Sequence, residues 1–218
     1  MQQKNNISNS VIRRLPRYYR FLGELLRQGI TKISSRELSE MMLLTASQIR
    51  QDLNCFGGFG QQGYGYNVSE LRQEIAHILG LDTERKIIMV GAGNLGRAIA
   101  VHIDFKKCGY DLIGIFDSNI AMEGIEIAGI SILHTNALRE FCEQNKPEMA
   151  VLCIPRTAAK ETVETLLSLG INSFWNFSHY DIHYDYPDAN VENVHLTDTL
   201  MTLSYLQQNN SDNNITEE

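Results

Sequence analysis

Apolar residues recur at steps of three and four in Ile12, Leu15, Tyr19, Leu22 and Leu26, which predicts one face of a helix that Gly29 can close. Pro16 constrains the start, since proline is tolerated only in a first turn or at a kink. Two capping signatures then follow eleven residues apart, Ser34-Ser35-Arg36-Glu37 and Thr45-Ala46-Ser47-Gln48. They predict short helices over about 35–43 and 46–55 with a turn of very few residues between them, the layout of a helix-turn-helix. Glycines and aromatic residues alternate through 56–66, predicting a β-hairpin with Gln61 and Gln62 near its tip. A helix over 69–79, with Leu71, Ile75 and Ile78 on its apolar face and Gly80 behind it, closes a winged-helix module.

The pattern changes at residue 87. Ile87-Ile88-Met89-Val90 is an unbroken apolar run, as a strand buried in a parallel sheet requires. It runs into Gly91-Ala92-Gly93-Asn94-Leu95-Gly96 and then helical Arg97–Ala100, the strand–loop–helix context that makes G-x-G-x-x-G a dinucleotide fingerprint. Gly91 allows the tight turn, Gly93 the approach of a pyrophosphate, and Gly96 close packing of helix on strand. The helix start points free N–H groups at the phosphates. A second strand, 112–116, ends at Asp117, 21 residues after Gly96, where a carboxylate can accept from ribose hydroxyls and repel a 2′-phosphate. Ser118 and Asn119 follow with no arginine, so the spacing favours NAD(H) over its phosphorylated form; a helix N-cap is the plainer role for Asp117. Strand and helix then alternate at 130–133, 136–144, 149–154, 156–169 and 171–175, predicting a doubly wound α/β domain. Ligands of such sheets lie beyond the carboxyl ends of the strands, which makes the loops Pro155-Arg156-Thr157 and Asn176-Phe177-Ser178-His179, Pro155 and Asn176 foremost, candidates to line the rest of a cofactor, with a structural role as the plainer one. Glu192–Gln208 is predicted as a last helix whose Leu196, Leu200, Leu203 and Leu206 need a surface to cover them, and the polar tail from Asn209 as disordered.

Charge divides the chain at the same place. Residues 1–80 carry ten Lys or Arg against six acids, a balance of +4, so a chain of net charge −7 leaves −11 on the remainder. A basic segment suits a polyanion. The helix predicted at 46–55 would bury Ile49 and Leu53 and present Ser47, Arg50, Gln51 and Asn54, groups able to read base edges or hold phosphates. The four cysteines lie far apart, which argues against a zinc site or a disulfide framework and for a reduced, cytoplasmic setting. No apolar run approaches a membrane span, and the polar N-terminus is unlike a secretory signal. The expected organisation is a DNA-binding domain over 1–80, a Rossmann domain over 81–190, a C-terminal helix over 191–208 and a tail over 209–218.

The stretches RRLPRYYRFL, ISSRELSE, QIRQDLNCFGGFGQQGYGYNV, VGAGNLGRAI, FDSN and VENVHLTDTLMTLSY resemble the Rex family of redox-sensing transcriptional repressors across residues 10–206. The resemblance implies a homodimer on a palindromic operator, with the C-terminal helix swapped between subunits, and release of DNA when NADH displaces NAD+. It also implies a switch joining an arginine of the first helix, here Arg20, to a tyrosine and an aspartate. His102 and His195 stand at those two positions, and Leu196 stands where the swapped helix approaches the nicotinamide. Two readings of the substitution stay open: His102 and His195 make the response pH-dependent near neutrality, or they are ordinary interface histidines. Arg50 and Gln51 would contact DNA, Arg14 its backbone or the domain interface, and Gln61 and Gln62 would leave the wing with fewer phosphate contacts. Two other readings stay open: an NAD-dependent dehydrogenase with an N-terminal extension, and a DNA-binding protein whose Rossmann module only dimerises. Against the first, His134, His179 and His183 form no catalytic pair and 138 residues leave little room for a substrate domain.

Overall fold

The computed structural model describes residues 7–57 and 65–215 and divides into two compact units, Met1–Thr83 and Glu84–Glu218. In the first unit α1 (Asn9–Ile12) and α2 (Leu15–Arg27) are separate helices, with Pro16 in the first turn of α2, where its missing N–H costs nothing. The buried face of α2 is Leu15, Tyr18, Leu22 and Leu25, one step round from the expected stripe; Tyr19 and Leu26 are half-buried beside it. Helices α3 (Ser35–Met42) and α4 (Ala46–Asn54) follow a two-residue strand β1 (Lys32–Ile33). Ser34 forms a complete capping box with Glu37, and Thr45 Oγ1 accepts from the Gln48 N–H, so both helix starts lie where the sequence signatures put them. Between them Leu43 takes the left-handed conformation, φ 53° and ψ 42°.

Strand β2 (Tyr66–Asn67) pairs antiparallel with β1, with Lys32 opposite Asn67 and Ile33 opposite Tyr66. A side chain at Gly65 would meet the Ile33 carbonyl oxygen at 2.7 Å, and its φ is +73°. Gln61 and Gln62 lie outside the described residues. Helix α5 (Val68–Leu79), capped by Asn67, packs on α2 and closes the core of Leu22, Leu38, Ile49, Leu53, Leu71 and Ile75.

The second unit is a seven-stranded sheet in the order β5-β6-β4-β3-β7-β8-β9. The strands are β3 (Arg85–Val90), β4 (Tyr110–Asp117), β5 (Glu126–Ile127), β6 (Ile130–His134), β7 (Met149–Leu152), β8 (Ser173–Asn176) and β9 (Asn190–Asn193). All pairings are parallel except β5 with β6. Helices α6 (Asn94–His102), α7 (Leu138–Asn145), α8 (Arg156–Ser168) and the short α9 (Ile182–Asp185) connect them, and two apolar clusters lie on the sheet, around Ile88–Val90–Phe116 and around Ile87–Met89–Ile115. Continuous burial of Ile87–Val90 is what the unbroken apolar run required.

The C-terminal region departs from expectation. Residues 190–193 extend the sheet as β9, with Val191 opposite Phe174, because β8 would otherwise leave an unpaired edge. The final helix α10 therefore starts at Leu196 and runs to Ile215, through residues expected to be disordered.

Candidate nucleic-acid interface and nucleotide site

On α4 the side chains of Ser47, Arg50, Gln51 and Asn54 line one open groove with Cys55. The helix turns Ile49, Asp52 and Leu53 inward. Arg50 donates to Ser35 Oγ at 3.0 Å, a bond to α3 that fixes the guanidinium before any ligand arrives. Arg14 is placed differently from the expectation of a DNA contact. Its Nε and one Nη donate to the two oxygens of Asp52 at 2.6 and 2.7 Å, and the carboxylate is fully buried. Tyr18 Oη at 2.9 Å and Gln48 Nε2 at 2.8 Å complete the shell. Burial alone would raise the pKa of Asp52; the hydrogen bonds from Arg14, Gln48 and Tyr18, with the guanidinium charge, outweigh it and hold the carboxyl below its ordinary range. Arg17 likewise turns inward, donating to the Met42 carbonyl at 2.6 Å. Asp52 was missed by sequence reasoning although Ile49-Asp52-Leu53 put it on the apolar face. Arg20 is exposed on α2.

The glycine motif joins β3 to α6. A side chain on Gly91 (φ +101°) would lie 2.3 Å from the Cys153 carbonyl oxygen, and one on Gly96 2.0 Å from the Gly91 oxygen. Backbone thus needs both glycines. At Gly93 an added Cβ meets no atom within 4 Å. Gly93 is also the N-cap of α6 and offers no capping side chain, so the helix start keeps its N–H donors for a ligand. Asp117 ends β4 beside this opening: its Oδ2 accepts from Ala92 N–H at 2.7 Å and its Oδ1 from Asn119 N–H at 2.8 Å. A carboxylate has about four acceptor positions, so each oxygen keeps one for a ribose hydroxyl. An open space at Gly93, unused helix donors and an oriented carboxylate are a cradle that fits the adenosine pyrophosphate half of NAD(H).

Asn94 and Leu95 are exposed at the start of α6, Ser118 follows Asp117 on the surface, and Pro155 is the exposed N-cap residue of α8 after β7. Two neighbours were not foreseen. Arg97 Nε donates to the Ala92 carbonyl at 3.0 Å and ties α6 back onto the motif. His134 Nδ1 accepts from the Asn136 N–H, leaving Nε2 to donate to the Ser118 carbonyl at 3.1 Å, so this histidine shapes the loop beside Asp117. Asn176 does not face a ligand as expected. It is buried, its amide nitrogen donates to Tyr180 O and Asn193 Oδ1, and its oxygen accepts from Ser178 N and Oγ, which saturates the side chain. The parallel neighbour β9 supplies Asn193, and this strand was absent from the sequence reading. Desolvation pushes the Cys153 thiol up to about 12, so it stays protonated and offers no thiolate.

His195, just before α10, has its Nδ1 2.9 Å from that of His179, with the two rings stacked. The contact between His195 and His179 was not anticipated; the His179 backbone is left-handed at φ 58°. His102 is exposed at the end of α6. Leu196 is 61% exposed at the start of α10, and Leu200, Met201, Leu203, Tyr205 and Leu206 are each more than half exposed. Among the described residues no group of three or more His, Cys, Asp or Glu could hold a metal ion, and no helix is long and apolar enough to cross a membrane.

Comparison with known proteins adds the following. Residues 6–54 match the family model "Putative DNA-binding protein N-terminus", and residues 82–180 match "CoA binding domain". CoA and NAD share the adenosine pyrophosphate that the cradle fits. The chain is 51% identical over 205 residues to a redox-sensing transcriptional repressor Rex of Thermoanaerobacter pseudethanolicus, covering 94% of this chain and 91% of that one. It is 50% identical over 208 residues to the repressor of the same name from Clostridioides difficile, covering 95% and 99%. Among solved structures, RSP in complex with β-NAD+ and operator DNA superposes with a TM-score of 0.87 at 48% identity, covering 99% of both chains. RSP in complex with β-NADH gives 0.88 at 45% identity, covering 99% of this chain and all of the other.

Proposed function

The chain belongs to the Rex family of redox-sensing transcriptional repressors, and on that premise we propose that it grips a palindromic operator through paired α4 helices and lets go when NADH fills the cleft at Gly91–Gly96. The observation that carries this reading is the union, in one chain, of a helix-turn-helix with an open reading face and a dinucleotide cradle whose Gly93 is free of protein atoms. Ser47, Arg50 and Gln51 take the operator; Gly91, Ala92, Gly93, Asn94, Leu95, Gly96, Asp117, Ser118 and Pro155 take NADH or NAD+ in competition.

The apolar face of α10 supports a homodimer in which each copy covers the helix of the other. Two copies would set two α4 helices on successive major grooves, about 34 Å apart. Arg20, His102, His195 and Leu196 are the residues through which occupancy of the cleft would change that spacing. Sensing requires unequal affinity for the two arrangements, about 10⁴-fold to carry the balance from 1:99 to 99:1. The setting is cytoplasmic, where NADH and DNA meet.

The test is binding of the purified protein to a labelled palindromic operator at fixed salt, titrated with NADH and then NAD+. Release at micromolar NADH, resisted by excess NAD+, is expected; binding indifferent to both nucleotides overturns the coupling. Truncation after His195 is expected to give a monomer in sedimentation, and a dimer of that fragment would remove α10 from the interface.

A further inference from the structure

The arginine-rich start of α2 invites the reading that its cations meet DNA phosphates. The side chains are committed elsewhere. Arg14 forms a two-point pair with Asp52 on α4, and Arg17 donates to the carbonyl of Met42, the last residue of α3. One arginine therefore holds each of the two helices of the helix-turn-helix, on either side of the turn at 43–45. The Asp52 shell is complete: both Arg14 contacts, Tyr18 of α2 and Gln48 one turn earlier on α4. Asp52 lies on the opposite side of α4 from Ser47 and Arg50, with Gln51 between them, so any roll of the helix about its axis moves all three reading side chains together. A two-point Arg–carboxylate pair resists that roll in a way a single contact cannot. A buried carboxylate in an otherwise apolar core is costly for stability compared with an apolar residue of similar size, and fixing one geometry is the best-attested return for such a group.

We propose that Arg14, Arg17 and Asp52 are positioning residues for operator recognition, a clamp that sets the roll and register of α4, and that neither arginine contacts a DNA phosphate. This rests on the reading of α4 as the operator-contacting helix.

Salt dependence separates the clamp from a phosphate contact. Each phosphate neutralised adds about 0.9 to the slope of log K against log salt. Operator binding by the full-length chain is measured across a salt series, against the palindrome and a singly mismatched copy. The variants are Arg14→Gln, Arg17→Met, Asp52→Asn and the double Arg14→Gln/Asp52→Asn, with Arg50→Gln as the contact control. For the clamp, Arg14→Gln and Arg17→Met weaken operator binding about tenfold or more, leave the slope as in wild type and narrow the preference over the mismatched site. Asp52→Asn, which removes no cation, does the same, and the double variant is no worse than either single. A slope shallower by about 0.9 in Arg14→Gln or Arg17→Met overturns the proposal, as does unchanged affinity and preference in the folded variants. Should Arg14→Gln fail to fold, Tyr18→Phe removes one donor to Asp52 and no charge: a narrowed preference at constant slope supports the clamp, and wild-type preference overturns it. Wild-type protein that binds no operator, or an Arg50→Gln variant that binds as wild type, overturns instead the reading of α4 on which the clamp rests.

Discussion

Replacing Gly93 with alanine separates the ligand's demands on the glycine motif from the fold's. At Gly93 the backbone is extended (φ −67°, ψ −172°), a conformation alanine adopts freely, and the added Cβ finds no atom within 4 Å. Two small terms act on the ligand-free protein. Lower freedom in the unfolded chain favours alanine by about 0.4–1 kcal/mol. Alanine is a poorer N-cap than glycine by roughly 0.5–1 kcal/mol. They nearly cancel, so Gly93→Ala should melt within about 3 °C of wild type. With NADH bound the methyl group competes with the pyrophosphate for the same space. Overfilling a packed site costs about 1–3 kcal/mol, or roughly 5- to 150-fold in Kd. Gly96→Ala inverts the pattern: its Cβ would sit 2.0 Å from the Gly91 oxygen, so α6 must move off β3 and stability falls by about 3 kcal/mol or more before any ligand is added. Thermal melts and NADH fluorescence titrations of both variants are the assay. A Gly93→Ala protein that binds NADH as wild type does would show that the pyrophosphate runs elsewhere; one that melts many degrees low would show that the opening at Gly93 is not free.

Asp117→Ser removes the ribose acceptor and any repulsion of a 2′-phosphate, so NADH should weaken about tenfold and the gap between NADH and NADPH should narrow; an unchanged gap in paired titrations would put the discrimination elsewhere. Leu43 is 87% exposed in the left-handed conformation. Leu43→Gly relieves about 1–2 kcal/mol of strain and adds about 0.5–1 kcal/mol of unfolded-chain entropy, a net gain visible as a higher urea midpoint; a lower midpoint would mean the leucine makes a contact that matters. Asp52 has a folded pKa below its ordinary 3.8, so its stabilisation is complete above that value and is lost as pH falls through the folded pKa. The stability difference between wild type and Asp52→Asn should hold steady from about pH 8 to about pH 5 and close below about pH 4; a difference that starts to close above pH 5 would contradict the sign of the shift.

What the sequence revealed and what it hid follow one division. Elements announced by local chemistry, the two capped helices and the glycine turn, lie where Ser34, Thr45 and Gly91–Gly96 predict them, because a cap or a forced φ acts within a few residues. Partnerships made at long range were hidden. Asp52 and Arg14 are 38 positions apart and Asn176 and Asn193 are 17 apart, and neither pairing leaves a periodic trace. The last helix was started four residues early, at Glu192, so the end of β9 was read as helix; only the free edge of β8 shows that residues 190–193 pair as a strand. The α2 stripe was off by one position for a related reason. Tyr18 and Tyr19 are equally apolar in sequence, and the buried acceptor on α4 selects the one whose hydroxyl can reach it.

The two units meet phosphate by opposite means, and that difference constrains how they can be coupled. The basic unit presents side-chain cations, whose hold on DNA depends on counterion release and weakens steeply with salt. The acidic unit, at −10, offers backbone N–H groups at the start of α6, fixed dipoles that would act at hydrogen-bond range on one pyrophosphate. Its surplus of negative charge repels a dinucleotide at long range, and salt screens that repulsion over about 8–10 Å. Rising salt therefore loosens the operator while leaving the nucleotide cradle unharmed or helping it. Salt and NADH push the same equilibrium in the same direction, so the nucleotide level that half-empties an operator is a property of the ionic medium as much as of the cleft.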